Sequence, residues 1–166
     1  LAREGADAKA EKLGLTPYDA LMDEFEPGAR AADITPIFDD YAAFLPEFLG
    51  RVLERQRAQG PAIQPQGPFS IESQKKLGEK LMAVIGFDFK HGRLDTSLHP
   101  FCGGTPDDVR ITTRYNEDQF ADAMMGVVHE TGHAMYERGL PVAWRRQPVG
   151  QARGMALHES QSLIIE

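Results

Sequence analysis

The hydrophobic positions of the chain recur mainly at three- and four-residue steps, which predicts a mostly helical fold. The longest such run begins near Asp33 or Thr35 and reaches about Gln59. We expect one long amphipathic helix that Pro46 bends, or two helices that meet at this proline. The aromatic residues of the run are predicted to face a core. They are Phe38, Tyr41, Phe44 and Phe48.

Start and stop signals predict five further helices. Thr16 before Pro17 favours an N-cap, and Gly86 suits the position after the end of a helix. Asn116, with Gln119 three residues later, predicts a capping-box start. The predicted helices cover residues 2–13, 17–26, 70–85, 117–138 and 154–166.

Two segments depart from the helical spacing. Residues 92–101 and 109–115 alternate loosely and are rich in Thr, Leu, Ile and Arg, and they flank the turn-forming residues 102–108. We expect a small antiparallel pair of strands there. Residues 60–68, which are rich in Gly and Pro, predict a surface linker between helices. The fold class is therefore mainly α with a small β pair.

Length and composition limit the classes of function. The chain has 166 residues, a formal net charge of −7 and a pI near 5.2, which suits one domain with a sizeable core. The acidic balance argues against nucleic acid and anionic membranes as partners. A lone Cys102 excludes an internal disulfide and suits a reducing compartment. Since no apolar run approaches roughly 18 to 20 residues, we expect a soluble protein.

The fourth of the five predicted helices contains an HExxH motif at residues 129–133. A four-residue step turns a helix by about 400°, so His129 and His133 project from one face and can both bind one Zn²⁺. Glu130 lies beside this face and can accept a proton from a water that the metal activates. A buried helix that happens to contain these residues is the alternative. The apolar residues before the motif, and the small Gly132 where another element can pack, favour the metal site.

A zinc site of this kind needs a third protein ligand. The metzincin pattern fails, because Gly139 stands where its third histidine would be. The next predicted helix offers His158 and Glu159, of which only one can face the metal, since neighbours on a helix diverge by about 100°. We predict Glu159 as the ligand and His158 as a polar group that binds a ligand or substrate, or alternatively as a satisfied histidine between helices. Glu166 shares the face of Glu159 but lies two turns away, too far for the same metal.

Four motifs, in their order along the chain, resemble those of the carboxypeptidase Taq family of zinc metallocarboxypeptidases. The HExxH motif is followed by HESQ at residues 158–161. Upstream, residues 108–112 match the DxRxT motif of that family, and residues 99–101 match its HPF motif. The motifs span residues 99–161, and the helical region before them is compatible with the family.

The resemblance implies a largely α-helical, homodimeric, cytoplasmic enzyme with a deep groove, which removes single residues from peptide C-termini with broad specificity. It also implies that residues 1–166 are the central part of one catalytic domain, a helical HExxH zincin, without its N- and C-terminal parts. We accordingly expect the apolar surface of residues 154–166 to be exposed in this chain. Imidazole and carboxylate ligands accept Co²⁺ or Mn²⁺ as well as Zn²⁺.

Arg110 and His99, from the two upstream motifs, are candidate substrate-binding residues. A guanidinium can bind the terminal carboxylate of a peptide through two parallel hydrogen bonds, whereas the alternative for Arg110 is an ion-paired surface residue beside Asp108. His99 is expected to lie in the wall of the site or, alternatively, in a turn. The leading prediction is a zinc carboxypeptidase with Glu130 as general base. The alternatives are an endo-acting zinc oligopeptidase and an inert metal-binding helical module.

Overall fold

The computed structural model describes residues 1–61 and 63–166. Ala62, within the predicted linker, lies outside the described residues. The described residues form two compact units, Leu1–Pro65 and Gln66–Glu166. The metal motif belongs to the second unit, and the prediction that both units are parts of one catalytic domain stays a prediction.

The first unit begins with two helices, and a local signal of the sequence marks the start of the second. Thr16 caps the second helix as predicted, because its Oγ1 accepts a hydrogen bond from the backbone N–H of Asp19 at 3.2 Å. That helix ends at Met22, earlier than expected. The Asp19 carboxylate then accepts a hydrogen bond from the backbone N–H of Ala31 at 2.8 Å, which ties this helix to the start of the next. The helices of this unit are α1 (Ala2–Leu13), α2 (Pro17–Met22) and α3 (Ala31–Ala58).

The long predicted helix is confirmed as α3, which continues through both Pro36 and Pro46. Its aromatic stripe is not buried in this unit: Phe38 is 66% exposed, and the other three aromatic residues are also exposed. The rings of Phe44 and Phe48 stack on each other with centroids 5.0 Å apart. The prediction that these residues belong to a core is therefore wrong for this unit, because helical periodicity marks an apolar face without specifying what covers it.

The second unit combines three helices with a three-stranded sheet. Helix α4 begins after Ser70, whose Oγ accepts a hydrogen bond from the backbone N–H of Ser73 at 3.2 Å, and it ends at Gly86 with a φ of 104°, as predicted. The elements are α4 (Ile71–Ile85), β1 (Gly92–Thr96), β2 (Phe101–Thr105), β3 (Asp108–Thr113), α5 (Phe120–Gly139) and α6 (Met155–Ile165), with short 3₁₀ turns at Phe89–His91, Val142–Trp144 and Pro148–Gly150.

The sheet contains an antiparallel pair, as predicted, but not between the two segments predicted to form it, since residues 101–105 and not residues 92–96 pair antiparallel with residues 108–112. Strands β2 and β3 pair antiparallel, while β1 pairs parallel with the other edge of β3, in the order β1-β3-β2. The predicted strand over residues 92–101 is interrupted at Ser97, whose hydroxyl donates to the backbone carbonyl of His99 and lies 2.8 Å from Thr112 Oγ1. The chain leaves the sheet there and returns as β2.

Two local boundaries also differ from the sequence prediction. Residues 102–105 belong to β2, so the turn is confined to the step from Thr105 to Asp108. The predicted capping box at Asn116 is wrong, since α5 begins only at Phe120. The Asn116 side chain instead accepts a hydrogen bond from the backbone N–H of Asp118 at 2.9 Å, which closes a local turn before the helix.

The core of the second unit lies between the sheet and the helices α4 and α5. Strand β3 alternates as a half-buried strand should: Val109 and Ile111 are buried, whereas Asp108 and Arg110 are exposed. The buried cluster is Met82, Phe87, Leu94, Val109, Ile111, Val127 and Ala134. This packing holds one side of α5 in place. Within the described residues, no helix is both long and apolar enough to span a membrane.

Several large apolar side chains of α6 are exposed, as expected for residues 154–166. Leu163 is 60% exposed and Ile164 is 79% exposed. Ser162, on the other side of the same helix, is fully buried. Helix α6 is therefore held by its small-residue side and presents an apolar side to solvent in this chain.

Candidate metal centre

Helix α5 directs its two motif histidines away from the core. Val127 and Ala134 are buried in the cluster beneath the helix. The His129 and His133 side chains are 26% and 12% exposed, respectively, on the other side. Their rings lie edge to face with centroids 5.0 Å apart, as a four-residue helical step requires. The predicted shared face of the two histidines is therefore confirmed.

Helix α6 reaches this face because Gly132 permits a close approach. A Cβ at Gly132 would lie 2.5 Å from the carbonyl oxygen of Gln161 and 2.5 Å from the Cα of Ser162. Only a residue without a side chain fits at this distance. The predicted packing at Gly132 is confirmed, and it brings the half-buried Glu159 of α6 opposite the histidines.

The three predicted ligands converge. The Nε2 of His129 lies 3.4 Å from Oε1 of Glu159, and the Nε2 of His133 lies 3.3 Å from Oε2. One donor atom from each residue lies within 4.8 Å of the other two. Ligands bound tetrahedrally at about 2.0–2.1 Å from Zn²⁺ are about 3.3 Å apart, so these spacings suit such an ion. The donor set thus fits a divalent metal ion.

Glu130 lies on the buried side of the same turn of α5. It is only 8% exposed. Burial raises the pKa of its carboxyl group above the ordinary value, and the charge of Glu159 adds to this, whereas His129 and His99 act in the opposite direction. A carboxylate with a raised pKa accepts a proton more readily near neutral pH, which is what a general base needs.

The environment of His133 favours the form that a metal binds. Burial lowers the pKa of this histidine, and the neighbouring His158 lowers it further. A lower pKa keeps the imidazole neutral near pH 7, and only a neutral imidazole has a free lone pair for a metal.

The structure places two further carboxylates behind the histidines, a role that the sequence did not indicate for either residue. Glu166 Oε2 lies 3.0 Å from Nδ1 of His129, the nitrogen that points away from Glu159. His158 lies between His133 and Glu137, with contacts of 2.6 Å and 2.8 Å from its two ring nitrogens. The seven-residue step from Glu159 to Glu166 was the available signal. For His158, these contacts favour the alternative of a satisfied histidine between helices.

The two candidates from the upstream motifs lie in different surroundings. His99 is close enough to Glu130 to lower the pKa of that carboxyl group, which agrees with a place in the wall of the site. Arg110 is exposed on β3 and donates hydrogen bonds to both carboxylate oxygens of Asp108, from Nε to Oδ1 at 3.3 Å and from Nη2 to Oδ2 at 2.7 Å. A substrate carboxylate at Arg110 would have to displace Asp108.

A family model and two curated relatives match this chain. The model of the carboxypeptidase Taq (M32) metallopeptidase family matches residues 1–166. Thermostable carboxypeptidase 1 of Thermus thermophilus is 42% identical over 150 residues, which are 90% of this chain and 29% of that protein. Carboxypeptidase 1 of Bacillus subtilis is 38% identical over 154 residues, 90% of this chain and 30% of that protein.

Solved structures show the same similarity in three dimensions. The structure of Trypanosoma cruzi metallocarboxypeptidase 1 superposes with a TM-score of 0.93 at 45% identity, covering 99% of this chain and 35% of that one. An M32 carboxypeptidase from Deinococcus radiodurans gives a TM-score of 0.88 at 32% identity, covering 99% and 33%. The chain thus spans about a third of the length of the relatives that it matches.

Proposed function

Because the chain belongs to the carboxypeptidase Taq (M32) family of metallopeptidases, we propose that the protein removes single residues from the C-termini of peptides. In this proposal His129, His133 and Glu159 hold a divalent metal ion, with Zn²⁺ as the expected ion and Co²⁺ or Mn²⁺ as substitutes. Glu130 is the general base. Broad specificity, a homodimeric state and a cytoplasmic location complete the proposal.

The observation that supports this proposal most directly is the convergence of three donor atoms beside a buried carboxylate. Two imidazole nitrogens face the two oxygens of Glu159 at 3.4 Å and 3.3 Å. The Glu159 side chain is 43% exposed, which leaves the solvent side of the trio open to a water and a substrate. A structural metal site is usually closed by four protein ligands, whereas a catalytic one keeps a position open.

Each residue of the site has a separate task in the proposed reaction. When bound, the metal ion would lower the pKa of a water and polarise the scissile carbonyl group. Glu130 takes a proton from the attacking water and delivers it to the nitrogen of the departing residue, so the peptide C–N bond breaks and a free amino acid leaves. Its burial, which raises its pKa, suits it to carry this proton.

Recognition of the free C-terminus is assigned to residues near the sheet. The planar guanidinium of Arg110 can bind a carboxylate through two hydrogen bonds, as it does with Asp108 here. We also assign His99 to the wall of the site, because it acts on the pKa of Glu130, and His158 to the polar surface behind His133. An endo-acting oligopeptidase and an inert metal-binding module remain the competing functions.

The test combines metal content with turnover in one set of variants. Glu130→Gln should retain the metal and lose peptide hydrolysis by several orders of magnitude, because an amide of the same shape takes up no proton. His133→Ala should lose stoichiometric metal as well as activity. Glu72→Gln, an exposed carboxylate on α4, is the matched control and should change neither. A Glu130→Gln protein with normal turnover would refute the base role, and one without metal would make Glu130 a ligand.

Substrate pairs separate the exopeptidase from its alternatives. A peptide with a free C-terminus should be cleaved much faster than its C-terminal amide, while N-terminal acetylation should have no effect. Equal rates on the free and amidated peptides would favour an oligopeptidase. A protein that binds the metal but cleaves neither peptide would favour the inert module.

A further inference from the structure

We infer that two outer carboxylates orient the metal-binding histidines: Glu166 holds His129 directly, and Glu137 holds His133 through His158. Both rings are thereby kept with the proton on Nδ1 and the lone pair of Nε2 turned toward Glu159. This inference rests on the proposed metal centre, because it assigns positioning residues to its ligands. It gives His158 a role behind the metal in place of the substrate contact predicted from the sequence.

The contacts of His129 show which of its nitrogens carries the proton. Its Nδ1 lies 3.0 Å from Oε2 of Glu166, whereas its Nε2 lies 3.4 Å from Oε1 of Glu159. The shorter contact has the length of an N–H···O hydrogen bond, and a carboxylate can only accept. The proton of a neutral ring therefore belongs on Nδ1, and the lone pair of Nε2 is free on the side of the metal site.

His133 contacts His158, and His158 contacts Glu137, in a chain of hydrogen bonds. The carboxylate of Glu137, at the outer end, sets which nitrogen donates at each step. Glu137 Oε1 lies 2.8 Å from Nε2 of His158, and an ionised carboxylate accepts, so this nitrogen must donate. In a neutral His158 ring the other nitrogen, Nδ1, is then an acceptor. It lies 2.6 Å from Nδ1 of His133, which must therefore donate. The Nε2 of His133, 3.3 Å from Glu159, keeps its lone pair. The contacts alone, without a bound metal, give these proton positions.

Packing around His158 and Glu137 should persist when either residue is substituted. The His158 side chain is only 14% exposed, and its ring packs edge to face on Tyr136 with centroids 4.9 Å apart. The Glu137 side chain is 30% exposed and borders an open cleft of about 900 Å³. A substitution at Glu137 therefore alters a side chain that faces solvent on one side. An aromatic ring at position 158 preserves the packing between α5 and α6.

The expected effect is a loss of metal affinity without a loss of the ligands. An outer partner fixes the ring orientation and the proton position of a ligating histidine, and its removal typically weakens metal binding by about ten- to a hundredfold. Glu166→Ala should do so through His129. His158→Phe should do so through His133, since phenylalanine keeps the ring shape and has no acceptor. Glu166→Gln, whose amide oxygen can still accept from Nδ1, should recover most of the affinity.

The first experiment measures the dissociation constant of Zn²⁺ by competition with a chromophoric chelator. Glu137→Ala combined with His158→Phe should bind no more weakly than His158→Phe alone, because both act through the same chain. Glu166→Ala combined with His158→Phe should show the product of the two single losses, because they act on different rings. Tyr136→Phe, which keeps the ring beside His158, is the matched control and should bind normally.

The second experiment locates the protons in the metal-free protein by long-range ¹H–¹⁵N correlation spectra at pH 8. His129 and His133 should both be protonated at Nδ1, and His158→Phe should change the pattern of His133 alone. Normal affinity in the Glu166 and His158 variants, with metal abolished in His133→Ala, would overturn the inference and leave the metal site standing. If the unmodified protein bound no metal, the proposed function would fail, and Nε2 protonation in these spectra would overturn the inference independently.

Discussion

Replacing Gly132 with alanine should weaken metal binding by moving the third ligand. The added Cβ would lie 2.5 Å from Gln161 O and from the Cα of Ser162. Ordinary contact needs about 3.5 Å, so α5 and α6 must separate locally by about 1 Å. The contacts of 3.3–3.4 Å between the histidine nitrogens and Glu159 would then stretch beyond the spacing of about 3.3 Å that tetrahedral Zn²⁺ requires.

The substitution has two opposing effects on folding stability and one effect on metal affinity. Overpacking costs about 1–3 kcal/mol, while alanine stabilises the interior of a helix by about 1 kcal/mol relative to glycine. The net loss of folding stability should therefore be at most about 2 kcal/mol. Metal affinity should fall by at least about tenfold, or 1.4 kcal/mol, because a ligand held 1 Å out of place binds poorly.

The assay compares Gly132→Ala with Gly126→Ala, in the same helix. A Cβ at Gly126 would meet its nearest atom, Cγ of Pro100, at 3.4 Å, so this variant gains helix propensity without a clash. Chelator competition and thermal unfolding should show weaker Zn²⁺ binding and lower stability for Gly132→Ala alone. A folded Gly132→Ala protein that binds Zn²⁺ as tightly as the Gly126→Ala protein would refute the link between the close helix approach and the metal centre.

Three further predictions test other parts of the structure. Burial raises the pKa of Cys102 to about 12. The native thiol should therefore react slowly with iodoacetamide at pH 8 and about tenfold faster for each pH unit above it. Fast reaction at pH 8 without denaturant would contradict this. Ser70→Ala should cost about 1 kcal/mol of stability in thermal unfolding, and Ser70→Gly only a few tenths, because Ser70 caps α4; equal losses would argue against the cap. Arg110→Lys should reduce the preference for free over amidated peptides by about ten- to a hundredfold, since an ammonium cannot form two parallel hydrogen bonds; an unchanged preference would move carboxylate recognition elsewhere.

Features that depend on neighbours along the chain could be predicted from the sequence. The bounds of α1 and α4 follow from periodicity and from end signals such as Ser70 and Gly86. The shared face of His129 and His133 follows from the pitch of a helix, which is the same in every protein. The choice of Glu159 came from a spacing argument together with the family motif, and the structure brings this residue to the histidines.

What lies opposite each face of a helix or strand depends on packing between distant elements. The parallel pairing of β1 with β3, the exposure of the α3 aromatic stripe and the chain from Glu137 to His133 all join or separate residues through packing. Glu166 is an example. The sequence places it on the same face of α6 as Glu159, but its contact with His129 depends on how closely Gly132 lets the two helices approach. Periodicity specifies the direction of a side chain relative to its own helix axis, whereas the distance to a partner on another element is set by the packing of the whole unit.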